Sequence, residues 1–384
     1  MKIDVTLEEI ASLENLRCAL LLACKGKKEK RDCGSFLYAH PEIEEWKYWG
    51  LNILVDSGLI GPLSESLKNN VWEPSSIRSF KYWSCGKFQT ISMCDFWPDR
   101  IVHHAIKRLI YKDLYKYYNP CQTACIIDRG LSGEHGFLIQ VKRAINRLKG
   151  NRIYCFKTDI RKYYPTIKHQ VLNEYIENVF SDKGTQNLLK KIVEGYKDLN
   201  VYDSFDEDHG IPIGFHLSPD FAAILLSPLF YSLKKKYGRK MLVVNYADDT
   251  VFLSCSKELL KEFKDKMFLP YLRERLRQDI NSKWQIFPLA KNRKDKGRPL
   301  SMCGYVFYES YILLRRDLKN KFKKAVIKFK EAHPDIIKRK DNLSKEDIKI
   351  IRKSLAPYIG WISQTNSKEL FKRYLQIPFY KISS

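Results

Sequence analysis

The sequence predicts an α+β protein, a mixed helix-and-strand body carrying a basic helical appendage. Three observations predict it. Apolar residues recur at helical spacing over much of the chain, two runs of strand-forming residues flank a polar turn at 242–255, and residues 311–353 hold 15 Lys+Arg against 6 Asp+Glu. A length of 384 residues allows a substantial core and suggests two or three subdomains.

In chain order, residues 6–24 carry Leu, Ile and Ala at helical intervals and break into the basic tract KGKKEKR. The stretch 46–67 predicts a second helix, followed by aromatic, turn-rich sequence through Gln89. Pro98 and Asp99 open an amphipathic helix over 97–118, with Ile101, Val102, Ala105, Ile106, Leu109, Ile110 and Leu114 on its apolar side. A helix over 133–150 ends at Gly150, residues 152–160 alternate as a strand, and 167–180 returns to helix. Ser218 caps and Pro219 starts an apolar helix that runs to Gly238, and the hairpin 242–255 follows. Beyond it the pattern predicts a helix near 257–278, short strands around 284–290 and 301–314, and helices to the C-terminus.

Sixty-eight Lys+Arg face 44 Asp+Glu, and a pI near 9.5 sets up a field that draws polyanions. Nucleic acid is the leading partner class. The ten cysteines are scattered without a Cys-x-x-Cys pair and read as reduced thiols of a cytoplasmic protein. Cys121, Cys125 and His135 lack the second half of a zinc pattern. No signal-peptide pattern opens the chain and no run reaches about 18 apolar residues, so neither secretion nor a membrane span is expected.

The hairpin 242–255 raises Asp248 and Asp249 between Leu242–Val244 and Val251–Leu253. Read without context, the pair is an ordinary polar turn. Adjacent carboxylates repel, and a divalent cation with a taste for hard oxygen ligands relieves that repulsion. Asp159, at the end of the strand 152–160, is a natural third ligand in the same sheet. Three such groups could hold two metal ions about 4 Å apart, one activating a 3′-hydroxyl and one neutralising a leaving pyrophosphate.

With these residues assembled, NYADDTVFL resembles the Tyr-x-Asp-Asp box of reverse transcriptases. FKTDIRKYYPTIKHQVL resembles the motif that carries the family's first catalytic aspartate, and GIPIGFHLSPDFAAILLSPL resembles its Gly-x-x-x-Ser segment, in the family's order. The resemblance implies a right-hand polymerase. Residues 1–150 would be an N-terminal extension and fingers, 151–310 a palm with a small antiparallel sheet, and 311–384 a basic helical thumb.

The same resemblance implies that Asp159, Asp248 and Asp249, with the backbone carbonyl of Ile160, bind two Mg²⁺ ions, Mn²⁺ being a substitute. Tyr164 falls at the aromatic gate against a ribose 2′-hydroxyl, and Tyr246 would support primer or template. Gly214 would allow close approach to the incoming nucleotide or templating base. Lys283 would protonate pyrophosphate, while Lys87 and Arg129 are the basic candidates for the dNTP triphosphate. Arg315, Arg316, Lys319 and Lys323 would track the template–primer backbone.

Segments at 13–28, 99–110, 284–290, 303–324 and 358–375 are similar to the reverse transcriptases of bacterial and phage diversity-generating retroelements. That likeness implies no RNase H domain and copying of a template-repeat RNA into adenine-mutagenised cDNA. It also implies a small basic accessory variability protein as partner. Ile213 stands where most reverse transcriptases have Gln, and an aliphatic there removes a polar check on mispairs. The chain departs from the group at Pro219, which follows Ser218 as in retroviral, retron and group II intron enzymes, and at CGKFQTI and ACIIDRGLSGEHGF. A defence-, CRISPR- or retron-associated enzyme without adenine mutagenesis is the near alternative, and a non-catalytic RNA-binding scaffold or a metal-dependent nuclease are the distant ones.

Overall fold

The computed structural model describes residues 2–27, 29–40, 58–84, 87–126, 130–196 and 209–383; the side chains of residues 84, 87 and 383 lie outside that description. The expected α+β class is the one observed, with helices around small antiparallel sheets. The chain divides into two compact units. The first comprises Met1–Pro120, Ile160–Ser232 and Lys266–Asn281, and the second Cys121–Asp159, Leu233–Asp265 and Ser282–Ser384.

In the second unit, strands β3 (Tyr154–Asp159), β4 (Met241–Tyr246), β5 (Asp249–Ser254) and β6 (Gln285–Pro288) form an antiparallel sheet in the order β4-β5-β3-β6. The pleat puts Cys155, Lys157 and Asp159 on one face with their partners Leu253, Val251 and Asp249. That face packs against Phe137, Leu138 and Val141 of the helix Gly133–Leu148 in one continuous core. The opposite face stacks Phe156 on Phe252 at 5.4 Å, with Phe263 4.7 Å from Phe252. Each fully buried phenylalanine contributes about 1.5–3 kcal/mol, and the alternation sets the register, since a one-residue slip would put the phenylalanines on the face shaped for Cys155, Val251 and Leu253.

The same core takes in a small sheet of β7 (Leu300–Met302), β8 (Tyr305–Phe307) and β9 (Ile312–Leu314) and the C-terminal helices. Of these, Arg316–Ala332 buries Phe322, Val326 and Phe329 and leaves Lys321, Lys323, Lys324 and Lys328 outside. The helix Lys345–Ser363 opens on a capping box between Ser344 and Asp347.

The first unit is mostly helical. Its helices include Leu13–Cys24, Ile101–Tyr117, His169–Val179 and Lys183–Glu194. Between the helix Ile101–Tyr117 and the start of the long helix Ser218–Tyr237, Lys107 Nζ meets Asp220 at 2.7 Å, and the Tyr118 hydroxyl donates to the other carboxylate oxygen at 2.8 Å. Burial raises the Asp220 carboxyl even against the pull of Lys107.

Three expectations change. The helix expected over 97–118 is α-helical over Ile101–Tyr117 and enters through a wider turn at Phe96–Arg100, in which Trp97, preceding a proline, is extended (φ −119°, ψ 133°). The helix expected near 257–278 stops as an α-helix at Phe263 and continues in wider turns at Lys264–Phe268 and Tyr271–Arg275 on either side of Pro270, which has no N–H to donate. The turn-rich stretch before Gln89 contains an antiparallel ribbon of β1 (Arg78–Ser84) and β2 (Lys87–Met93). Of the helix expected over 46–67, the described part is Ile60–Lys68, and 41–57 lies outside the described residues.

Candidate active site

Strands β4 and β5 are joined by two residues, so Ala247 and Asp248 form the turn and Asp249 is the first residue of β5, paired with Tyr246. Ala247 adopts the positive φ (54°) that such turns take at their first central position. Asn245 braces the turn from inside. Its Nδ2 donates to the Ala247 carbonyl at 2.8 Å and to the Thr250 hydroxyl at 2.9 Å. Its backbone is held as well, with Asn245 N donating to the Cys121 carbonyl at 2.9 Å and Thr123 N donating to the Asn245 carbonyl at 3.0 Å. The motif reading passes over Asn245, although a buried amide in an apolar strand beside the acidic pair was a usable signal.

Asp159 is the direct partner of Asp249 at the end of the β3–β5 ladder, which sets their Cα atoms about 5 Å apart. Both stand on the face that buries Cys155, Val251 and Leu253, at its end. The Asp249 carboxyl is raised to about 6, first by burial and then by the charges of Asp248 and Asp159, against opposing pulls from Lys157 and Arg315. Lys157 lies on the same face and donates to the Ser301 carbonyl at 2.8 Å, so a fixed cation flanks the acidic end of the sheet.

This donor set is all oxygen, and its carboxylates destabilise one another in a half-buried place, which is the chemistry that suits a hard divalent cation. Among the described residues, no three His, Cys, Asp or Glu side chains converge as they stand into a group that could hold a metal ion. The fit is therefore one of donor type and backbone register, carried by three half-buried carboxylates. The same statement covers Cys121, Cys125 and His135.

Tyr246 is half-buried, with its ring edge-to-face with Phe137 at 6.4 Å, and burial, then Glu134, raises its hydroxyl. Lys283 is exposed just before β6. Arg315 is turned onto Asp317 in a two-pronged bridge, 2.7 Å at both contacts. Arg316 and Lys323 are exposed on the helix Arg316–Ala332. Lys319 on that helix has its ammonium pKa lowered by burial and then by Arg293 and Arg373, which marks a local concentration of positive charge.

The remaining candidates, Arg129 apart, lie in the first unit. Ile160 is buried and bridges to Ile280. Tyr164 is half-buried in the short helix Tyr163–Thr166, where its carbonyl accepts from Ile211 N at 3.0 Å, while Tyr163 beside it is the core tyrosine, donating to the Ala222 carbonyl at 2.5 Å. The Ile213 carbonyl accepts from Ser92 N at 2.8 Å, and Gly214 takes φ +117°. A Cβ on Gly214 would stand 2.6 Å from the Ser92 carbonyl oxygen, so within this unit the missing side chain makes room for the root of the β1–β2 ribbon. Lys87 opens β2 with its side chain outside the described residues, as is Arg129 altogether.

Comparison with known proteins gives a family and two kinds of relative. Residues 78–287 match the family model described as reverse transcriptase (RNA-dependent DNA polymerase). A COX1/OXI3 intron 2 protein of Saccharomyces cerevisiae is 25% identical over 249 residues, covering 61% of this chain and 27% of its own length. Among solved structures, apo telomerase from Candida tropicalis aligns at a TM-score of 0.48 and 14% identity, covering 81% of this chain and 57% of that one. Telomerase from Candida albicans in complex with a fragment of telomeric RNA aligns at 0.45 and 11%, covering 80% and 58%. The chain thus spans about a quarter of the yeast protein and under three fifths of either telomerase. Among the described residues no helix is long and apolar enough to cross a membrane.

Proposed function

The chain belongs to the reverse transcriptase (RNA-dependent DNA polymerase) family, and from that membership we propose that it copies a template RNA into DNA from dNTPs. The observation that carries the reading is the pairing of Asp159 with Asp249 at the end of one ladder, with Asp248 in the adjoining turn. Family membership implies dependence on divalent metal, and such ions, when bound, activate the primer 3′-hydroxyl and stabilise the leaving pyrophosphate.

In this reading Asp159, Asp248, Asp249 and the Ile160 carbonyl hold two Mg²⁺. Asn245 keeps the turn from rearranging and Lys157 offsets part of the carboxylate charge. Tyr164, Ile213 and Gly214 line the nucleotide, and Lys87, Arg129 and Lys283 serve its phosphates. Tyr246, Arg315, Arg316, Lys319 and Lys323 hold template and primer. The division into fingers (1–150), palm (151–310) and thumb (311–384) belongs to the same reading.

More finely, we read a diversity-generating retroelement enzyme, cytoplasmic, working with a small basic accessory protein and making adenine-biased errors, on the strength of the segment likeness and Ile213. Pro219 after Ser218 favours a second reading, a retron- or defence-type enzyme of ordinary fidelity. Sequencing the cDNA made on a primed, adenine-containing RNA with Mg²⁺ separates the two. Errors concentrated opposite adenine support the first, accurate cDNA supports the second, and cDNA that persists in Asp248→Ala would sink both.

A further inference from the structure

The β1–β2 ribbon turns large aromatic side chains to solvent. Phe80, Tyr82, Trp83 and Phe88 are 45%, 53%, 59% and 66% exposed. Rings of this size normally bury about 150–250 Å² each, and a cluster of them left outside on one element marks a surface that meets something. The strand register divides the four. Phe80 and Tyr82 share one face, and Trp83 and its cross-strand partner Phe88 share the other, edge-to-face with centroids 4.7 Å apart.

Residues two apart on a strand stand about 7 Å apart, so Phe80 and Tyr82 leave a gap that one flat base fills with a ring on each side. The ribbon carries no acidic residue along either strand, while Lys81 and Arg78 are both exposed on it. Arg78 bonds Asp95 at 2.8 Å, next to the ribbon's root. The root is fixed where Ser92 N meets the Ile213 carbonyl and Gly214 admits the Ser92 carbonyl; Phe80, opposite Ile91, stands next to that root, and the Trp83–Phe88 pair lies further out along the ribbon. Flat apolar rings, positive charge and no negative charge suit an unpaired nucleic-acid strand, whose bases stack and whose phosphates are anionic. A hydrophobic protein partner would have no use for the lysine.

We propose that the exposed rings of the β1–β2 ribbon, Phe80, Tyr82, Trp83 and Phe88, form a stacking platform for unpaired bases of the template RNA. The assignment rests on the polymerase reading for the identity of that RNA. The test measures binding of the full chain, without dNTPs, to two labelled RNA/DNA hybrids, one blunt and one with a short unpaired 5′ template extension. Wild type should bind the extended hybrid more tightly than the blunt one. The quadruple variant Phe80→Ala, Tyr82→Ala, Trp83→Ala, Phe88→Ala should lose that gain, about 10-fold or more if even one or two bases stack, with blunt-hybrid binding unchanged.

Two further arms guard the result. Replacing the extension with an abasic one of equal charge should remove the gain for wild-type protein, which needs no variant to fold. The milder pair Tyr82→Phe and Trp83→Phe should keep it. A gain that survives either the abasic extension or the quadruple variant overturns the proposal, as does equal binding of both hybrids by wild type, which would turn the rings towards a protein partner. Incorporation is not read here, so a chain that shows the extension gain but never extends a primer would sink the polymerase reading and leave the platform standing.

Discussion

Two antiparallel hairpins in this chain use the same backbone device for opposite ends. The β4–β5 hairpin has β3 beside it, buries Val244, Val251, Phe252 and Leu253 almost completely, and has its turn braced by Asn245. The β1–β2 ribbon pairs with no third strand among the described residues and keeps its largest side chains outside. A strand with neighbours and a buried face has one register, whereas a two-stranded ribbon is marginal alone and depends on its seat. Charge chemistry is thus placed where the core fixes the geometry, and exposed rings where only the root is fixed.

The largest break falls on the buried hairpin. Asp248→Ala or Asp159→Asn should lower dNTP incorporation by at least about 10²–10³-fold, the scale of removing one preorganised charge-stabilising group, with hybrid binding and melting temperature unchanged. Loss of folding in either variant would mean that these carboxylates hold the sheet rather than serve it.

Next comes the interior of the unit that carries the ribbon. Lys107→Met leaves Asp220 buried with the Tyr118 hydroxyl but without its cation, the two side chains of the pair being only 10% and 4% exposed, and should cost about 3–5 kcal/mol by chemical denaturation. Adding Asp220→Leu should recover most of that loss. A single variant as stable as wild type would show that the pair is solvated in solution.

The ribbon's seat is the sharper probe of the comparison. Gly214→Ala meets both a positive φ and the Ser92 carbonyl at 2.6 Å, and should cost about 1–3 kcal/mol. Amide exchange should speed up at Ser92 and along β1–β2 while β4–β5 keeps its protection. Uniform loosening of both hairpins would contradict their independence.

The smallest effect lies outside both hairpins, at the start of the helix Lys345–Ser363. Ser344→Ala removes its cap at about 1 kcal/mol. Asp347, held by the Arg339 guanidinium and the Ser344 cap, has its carboxyl lowered to about 2. A lowered folded-state value means the contribution is complete above the ordinary aspartate pKa of about 3.9 and disappears as pH falls towards 2. Asp347→Asn should therefore flatten the stability profile in that acid window alone.

The acidic hairpin was legible in the sequence because its order is local: apolar runs, a two-residue turn and three motifs in series specify it without long-range knowledge. The ribbon was not, since alternation reads as a strand only when one face is apolar, and here aromatics occupy both faces at Phe80, Tyr82 and Trp83. Gly214 was legible as a glycine that matters, but its neighbour Ser92 comes from 122 residues earlier, a contact no spacing encodes. The helical run after Ser256 was legible from its apolar periodicity, but its widening into the turns Lys264–Phe268 and Tyr271–Arg275 around Pro270 was not, since that depends on which carbonyl each N–H reaches. Asn245 was passed over because its partners are mainly backbone groups, which carry no side-chain signature.

The role of the paired aspartates is read most simply by adding a single dNTP to a DNA primer annealed on RNA, with Mg²⁺ titrated, for wild type beside Asp249→Asn. Wild type should extend the primer only when Mg²⁺ is present and the variant not at all, with both proteins binding the primed RNA alike. Extension by Asp249→Asn at the wild-type rate, or by wild type without any divalent cation, would contradict that role.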